Sequence, residues 1–212
     1  MSSLVFDHLI VAAFTLEQGQ DFIEERLGVR PQPGGRHTAM GTHNALLRLG
    51  PGAYLEVIAI DPHGARPARM RWMGLDVPAL QATLRPQPRL IHWVVSTKKL
   101  DDLKRGVAAE LGPVHRMARA DFKWRMTLRD DGVLPGEGLV PSVIEWSDER
   151  HPSDVLPDAG VQLVSIAGAH PEPDRIRASL TRMGIFDTLK VTYDAAPRLA
   201  AMLRTRRGPV TL

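Results

Sequence analysis

Three stretches of the chain share one order. They are "LVFDHLIVAA" with "TLEQGQDFIEERLG", "RLIHWVVS" with "TKKLDDLKRGVAAELG", and "VQLVSIAGA" with "HPEPDRIRASLTRMG". Each opens on a β-branched apolar run, passes into helical spacing and ends on glycine. Repetition limits a fold more than any single motif, because each copy must bury its apolar face against a neighbour. Twenty residues separate His8 from Gly28, and the same twenty separate His92 from Gly112. In the first copy Thr15 and Gln18 read as a capping box and Gly28 as the stop.

Further strand-like runs follow each of the first two helices. They are "HNALLRLG" and "AYLEVIAI" in the first copy, and "DFKWRMTLR" and "PSVIEWS" in the second. One more short strand is expected ahead of each pair, which makes a βαβββ unit used twice. The expected class is α+β, with a curved, mostly antiparallel sheet and helices outside. The units span 1–60 and 90–157. The proline-rich stretch 61–89 is a crossover linker with one short helix behind Asp76. Residues 158–212 form a truncated third unit packed on the same domain.

Composition excludes several classes. With no cysteine there is no disulfide, thiolate ligand or thiol nucleophile. The formal charge is +3 and aromatics are 5%, without the basic, aromatic-interleaved stripe of a nucleic-acid surface. No run approaches the ~18 apolar residues of a membrane span. No basic residue precedes Arg26 to lead a signal peptide. A soluble, cytoplasmic protein with a small-molecule partner and no nucleic-acid or membrane partner is expected. The two units pair within one chain or across a homodimer.

The repeat also places chemistry. His8 and His92 fall in the first strands of their units, and Glu56 and Glu145 in the last. A lone strand glutamate is ordinarily solvated or paired with arginine; four such residues at matched positions suggest a shared site. Alternation along a strand groups Phe6, His8 and Ile10, then Tyr54, Glu56 and Ile58, then Leu90, His92 and Val94, then Val143, Glu145 and Ser147. If helices cover the other faces, all four polar residues line the concave side. Two imidazoles and two carboxylates suit one divalent transition metal such as zinc, nickel, cobalt, iron or manganese.

The segments "DHLIVA", "YLEVIA", "IHWVVS" and "VIEWSD" resemble the vicinal oxygen chelate superfamily, and within it the glyoxalase I-like proteins. The resemblance covers roughly residues 4–150 and implies His8, Glu56, His92 and Glu145 as metal ligands. It further implies a lyase or isomerase that abstracts a proton from a small oxygen-chelating substrate, with Glu145 or Glu56 as base and Glu145 preferred. A metal-dependent oxygenase and a non-catalytic small-molecule binder are the alternatives. Arg125, His43 and Asn44 are candidate substrate contacts, although strand alternation sets His43 with Ala45, Leu47 and Leu49 on the helix-packed side. His37, His63, His115, His151 and His170 read as surface residues, Trp93 and Trp146 as core beneath the helices, and Trp72 as a cover for the cavity mouth or core.

Overall fold

The computed structural model describes residues 3–212. The first unit runs β1 (Val5–Ala12), α1 (Leu16–Leu27), β2 (Gln32–His37), β3 (Thr42–Gly50) and β4 (Ala53–Ile60). The second runs β5 (Arg89–Ser96), α3 (Arg105–Leu111), β6 (Val114–Arg119), β7 (Phe122–Thr127) and β8 (Ser142–Trp146). Between them lies α2 (Pro78–Leu84), and after them the single turn α4 (Pro152–Val155).

The eight strands form one curved sheet in the order β2-β3-β4-β1-β5-β8-β7-β6. β1 pairs antiparallel with β5, joining the two units within a single chain. The curl is deep enough for the two edge strands, β2 and β6, to touch. The C-terminal segment adds β9 (Gln162–His170), α5 (Pro173–Met183), β10 (Leu189–Tyr193), β11 (Arg198–Thr205) and β12 (Gly208–Thr211). These strands make a separate sheet ordered β10-β9-β11-β12. In the first unit the opening strand β1 pairs parallel with β4, the last of its three returning strands. Here β9 pairs parallel with β10, the first of them. The element order repeats while the threading differs.

Local chemistry accounts for the helix ends. Thr15 accepts the Gln18 N–H, and Gly28 closes α1 in the left-handed region at φ 76°. The long helix expected after Thr97 does not form. The Thr97 hydroxyl takes the Lys99 N–H and the Glu145 carboxylate takes the Leu100 N–H. A short 3₁₀ turn at Leu100–Asp102 results, and the helix starts only at Arg105. Asp76 likewise does not cap α2, because Arg71 claims its carboxylate through both backbone and side chain.

Two cores lie on opposite faces of the large sheet. The convex face packs Leu9, Val11, Leu55, Val57, Trp93 and Val143 against the helices and the second sheet. The concave face gathers Ile10, Ile58, Val94, Trp124, Met126 and Ile144 with Trp72 and Met73 from the linker. Among the described residues no helix is long and apolar enough to cross a membrane.

Candidate functional site

The concave face holds a small cavity lined by His8, His37, Tyr54, Glu56, Trp72, Met73, Arg119, Trp124, Met126, Ile144 and Trp146. Its volume is about 20 Å³, room for about one water. His8 and Glu56 reach it from the adjacent strands β1 and β4. His8 Nε2 lies 3.7 Å from Glu56 Oε2, and His37 Nε2 lies 3.8 Å from Glu56 Oε1. Asn44 donates to Glu56 Oε1 at 2.5 Å.

A bulge in β1 adds a residue that alternation alone hides. Phe6 pairs with Val95 and His8 with Val94, so Asp7 is the extra residue between them. A bulge turns two consecutive side chains toward one face. Asp7, fully buried, accepts from His8 Nδ1 at 2.7 Å and from Trp146 Nε1 at 3.0 Å. His151 Nε2 stands 3.3 Å away at ion-pair distance. Burial alone would raise the Asp7 pKa, but His151 and His8 outweigh it and hold the carboxyl well below the usual range. With Nδ1 committed to Asp7, His8 presents Nε2 to the cavity, and Tyr54 stacks on the ring at 4.4 Å to fix its plane.

The glycines of "PGGRH" make room for this cluster. A side chain at Gly34 would meet Asn44 Oδ1 at 2.2 Å, and one at Gly35 would meet the Arg119 stem at 3.0 Å. Gly35 also has φ 138°, a conformation suited to glycine.

The structure does not unite the expected tetrad. Ile10, two residues beyond His8, pairs with Glu56; Val94, two beyond His92, pairs with Ser142. The counterpart of Glu56 in the second unit is therefore Ser142. His92 binds within that pair: its Nδ1 faces Gly138 O at 3.1 Å, and its Nε2 faces Ser142 Oγ at 3.0 Å and accepts the Ser142 N–H at 3.2 Å. Ile144 and Trp146 face the cavity, so Glu145 faces the other way. There it accepts from the Leu100 N–H and ion-pairs with Arg125.

Arg125, expected as a substrate contact, is likewise not on the cavity side. Trp124 and Met126 point into the cavity, and Arg125 binds Glu145 and Asp101 on the convex side. His43 is on the convex side too, as alternation implied, while its neighbour Asn44 turns inward. Among the described residues no group of three or more histidines and carboxylates has metal-holding geometry. The anticipated four-donor site does not fit a metal, because one carboxylate is on the wrong face and one imidazole is already bonded.

Several buried or cavity-lining residues escape sequence reasoning. His37, read as surface, is buried in the cavity wall and bonds Thr42 Oγ1 at 3.1 Å. Burial pushes its pKa well below 6.5, with the Arg119 charge adding to the effect. His170 is buried as well, against Glu137. Trp146 lines the cavity instead of the helix core. The one readable signal was spacing. Glu56 trails His8 by 48 residues, and Ser142 trails His92 by 50, closer than the 53 of Glu145.

His92 makes the fold acid-sensitive. Burial lowers its pKa from 6.5 to about 4, partly offset by the bond to Gly138 O. Between these values the unfolded chain binds the proton that the folded chain refuses. Stability is complete above pH 6.5 and falls as pH drops toward 4, by roughly 3 kcal/mol for this residue. His37 shifts in the same direction. Urea unfolding midpoints at pH 7, 5.5 and 4.5 should decline in that order; a flat profile would contradict the assignment.

Comparison with known proteins agrees with this architecture. A family model described as a glyoxalase-like domain matches residues 6–184. A hypothetical protein from Staphylococcus aureus aligns over 99% of this chain and 84% of its own, at 15% identity and a TM-score of 0.60. Methylmalonyl-CoA epimerase from Mycobacterium tuberculosis aligns over 67% of this chain and 86% of its own, at 14% identity and 0.42. A variant of the Streptomyces coelicolor methylmalonyl-CoA epimerase, in complex with 2-nitronate-propionyl-CoA, aligns over 69% and 100%, at 16% identity and 0.45. No curated protein matches the chain.

Proposed function

The chain belongs to the glyoxalase-like domain family, and from that premise we propose that it is an isomerase or lyase acting on a small carbonyl compound by proton transfer, with Glu56 as base. The observation that carries this reading is the buried array Asp7–His8–Glu56 facing an aromatic cavity. Glu56 is 5% exposed and has no arginine or lysine within ion-pair distance among the described residues. A carboxylate held this way is costly to the fold and well placed as a base.

Proteins of this superfamily commonly use a divalent metal. The expected donors do not converge here, so the chemistry follows from the chain's own groups. Glu56 takes the proton from the carbon next to the carbonyl, and the C–H electron pair moves through to the carbonyl oxygen. His8, oriented through Nδ1 by Asp7, faces that oxygen with Nε2; in its imidazolium form it donates Nε2–H there, and the Asp7 carboxylate balances that form. Return of the proton to the same carbon, or to its neighbour, completes exchange or isomerisation. His151 and Trp146 tie Asp7 to a second groove of about 870 Å³, in whose wall both stand. That contact gives the array a polar link outward.

A cavity of water size admits substrate only when the Trp72–Gly74 turn from the linker moves. Trp72 lies edge-on to His37 at 4.8 Å, and Met73 sits at φ 58°, a strained conformation for a non-glycine residue. The test is deuterium incorporation into pyruvate in D₂O, followed by proton NMR, for the wild type and Glu56→Gln. Enzyme-accelerated exchange that depends on Glu56 supports the reading; exchange no faster than buffer sinks it. Glu145→Gln serves as the control. It is expected to leave exchange unchanged and to lower the melting temperature only slightly, since glutamine keeps an acceptor for the Leu100 N–H and loses only the charge facing Arg125.

A further inference from the structure

Arg119 is 4% exposed and lines the cavity, yet among the described residues it makes no ion pair and no side-chain hydrogen bond. Its Nε is buried without a partner. The Phe122 ring lies 5.8 Å from the guanidinium. A buried, unpaired guanidinium is among the more costly arrangements a fold can keep. A carboxylate is close by, and the structure keeps the two apart: Glu56 is held by Asn44 and flanked by His8 and His37. The backbone is also arranged around Arg119, with Gly35 of the opposite sheet edge admitting its stem.

We propose that Arg119 is the anchor for an anionic group on the substrate, and that the substrate class is a short carbonyl acid. A planar guanidinium matches a carboxylate bidentately. With the carboxylate seated on Arg119, the carbon next to the carbonyl is presented to Glu56 and His8 from the other side of the cavity. The separation of anchor and base then has a purpose, because an Arg119–Glu56 pair would neutralise both. The proposal rests on the proton-transfer reading of the same site.

The experiment compares pyruvate with pyruvamide, which has the same shape and no charge. Binding is followed by tryptophan fluorescence, since Trp72, Trp124 and Trp146 all line the cavity, and catalysis by deuterium exchange. The wild type should bind pyruvate roughly 10- to 150-fold more tightly than pyruvamide. Arg119→Met should abolish that preference and Arg119→Lys should retain part of it. Arg119→Met should also melt at a higher temperature than the wild type, because it removes an uncompensated buried charge. A merely structural arginine would give a lower melting temperature and no change in preference.

Equal binding of the two probes, or no binding of either, overturns the anchor. If exchange nevertheless depends on Glu56, the proton-transfer reading survives that loss. Selective binding of pyruvate that needs Arg119, with no exchange, supports the anchor and sinks the chemistry. Should Arg119→Met fail to fold, the preference measured for Arg119→Lys against the wild type decides the matter.

Discussion

Glu56→Gln is expected to slow enzyme-catalysed deuterium exchange by 10²- to 10⁴-fold, the range roughly associated with loss of a positioned base. The amide keeps the size of the carboxyl group and removes its basicity. It also removes a buried anion whose nearest polar neighbours are Asn44 and two imidazoles. The variant should therefore be no less stable than the wild type, and slightly more stable if its amide is turned to accept from Asn44. The decisive pair of measurements is exchange rate and melting temperature together. A rate loss accompanied by a large fall in melting temperature would mean that Glu56 holds the fold rather than the chemistry. An unchanged rate would remove it as the base.

Asp7→Asn is expected to be the most damaging isosteric change in the protein, lowering stability by about 3 kcal/mol at pH 7. The carboxylate accepts from His8 and Trp146 on its two oxygens, with His151 alongside. An amide has one acceptor oxygen, and its NH₂ would face a donor. The pH dependence supplies a sharper check. The folded pKa of Asp7 is depressed below the ordinary 3.8, so its contribution is complete above that value and is lost as pH falls below it. The stability gap between wild type and Asp7→Asn should narrow steadily as pH falls from about 5 toward 2. A gap that stays constant down to pH 2 would contradict the charged, depressed state. Exchange should also fall in this variant, because His8 loses the carboxylate that orients its ring.

The repeat in the sequence carried the fold a long way. Apolar alternation and glycine stops are local signals, and they placed β1, α1, β3, β4, β5, β7 and β8. The expectation of one further short strand ahead of each pair is met by β2 and β6. Thr15 and Gly28 cap α1 as their types predict. The long helix after Thr97 failed for a reason absent from its own residues. A carboxylate from β8, distant in sequence, captures the Leu100 N–H.

The site was legible in half. His8 and Glu56 line the concave cavity and Asn44 donates to Glu56; their residue types at those strand positions made them candidates. Arg119 offered no signal of its own in a chain with many arginines. It becomes conspicuous only when the curl of the sheet brings β6 against Gly35 and buries its charge. Asp7 was hidden by the assumption of strict alternation.

What the sequence determined by itself was the duplicated strand–helix plan and the identity of one histidine and one glutamate at its polar centre. Only the tertiary structure decided which face each side chain takes. Side-chain direction along a strand has a period of two, so a single bulge at Asp7, or a shift in strand pairing that puts Ser142 where Glu145 was expected, sends a residue to the opposite side of the sheet. Register is set by how whole strands pair and pack. No local stretch of residues contains it.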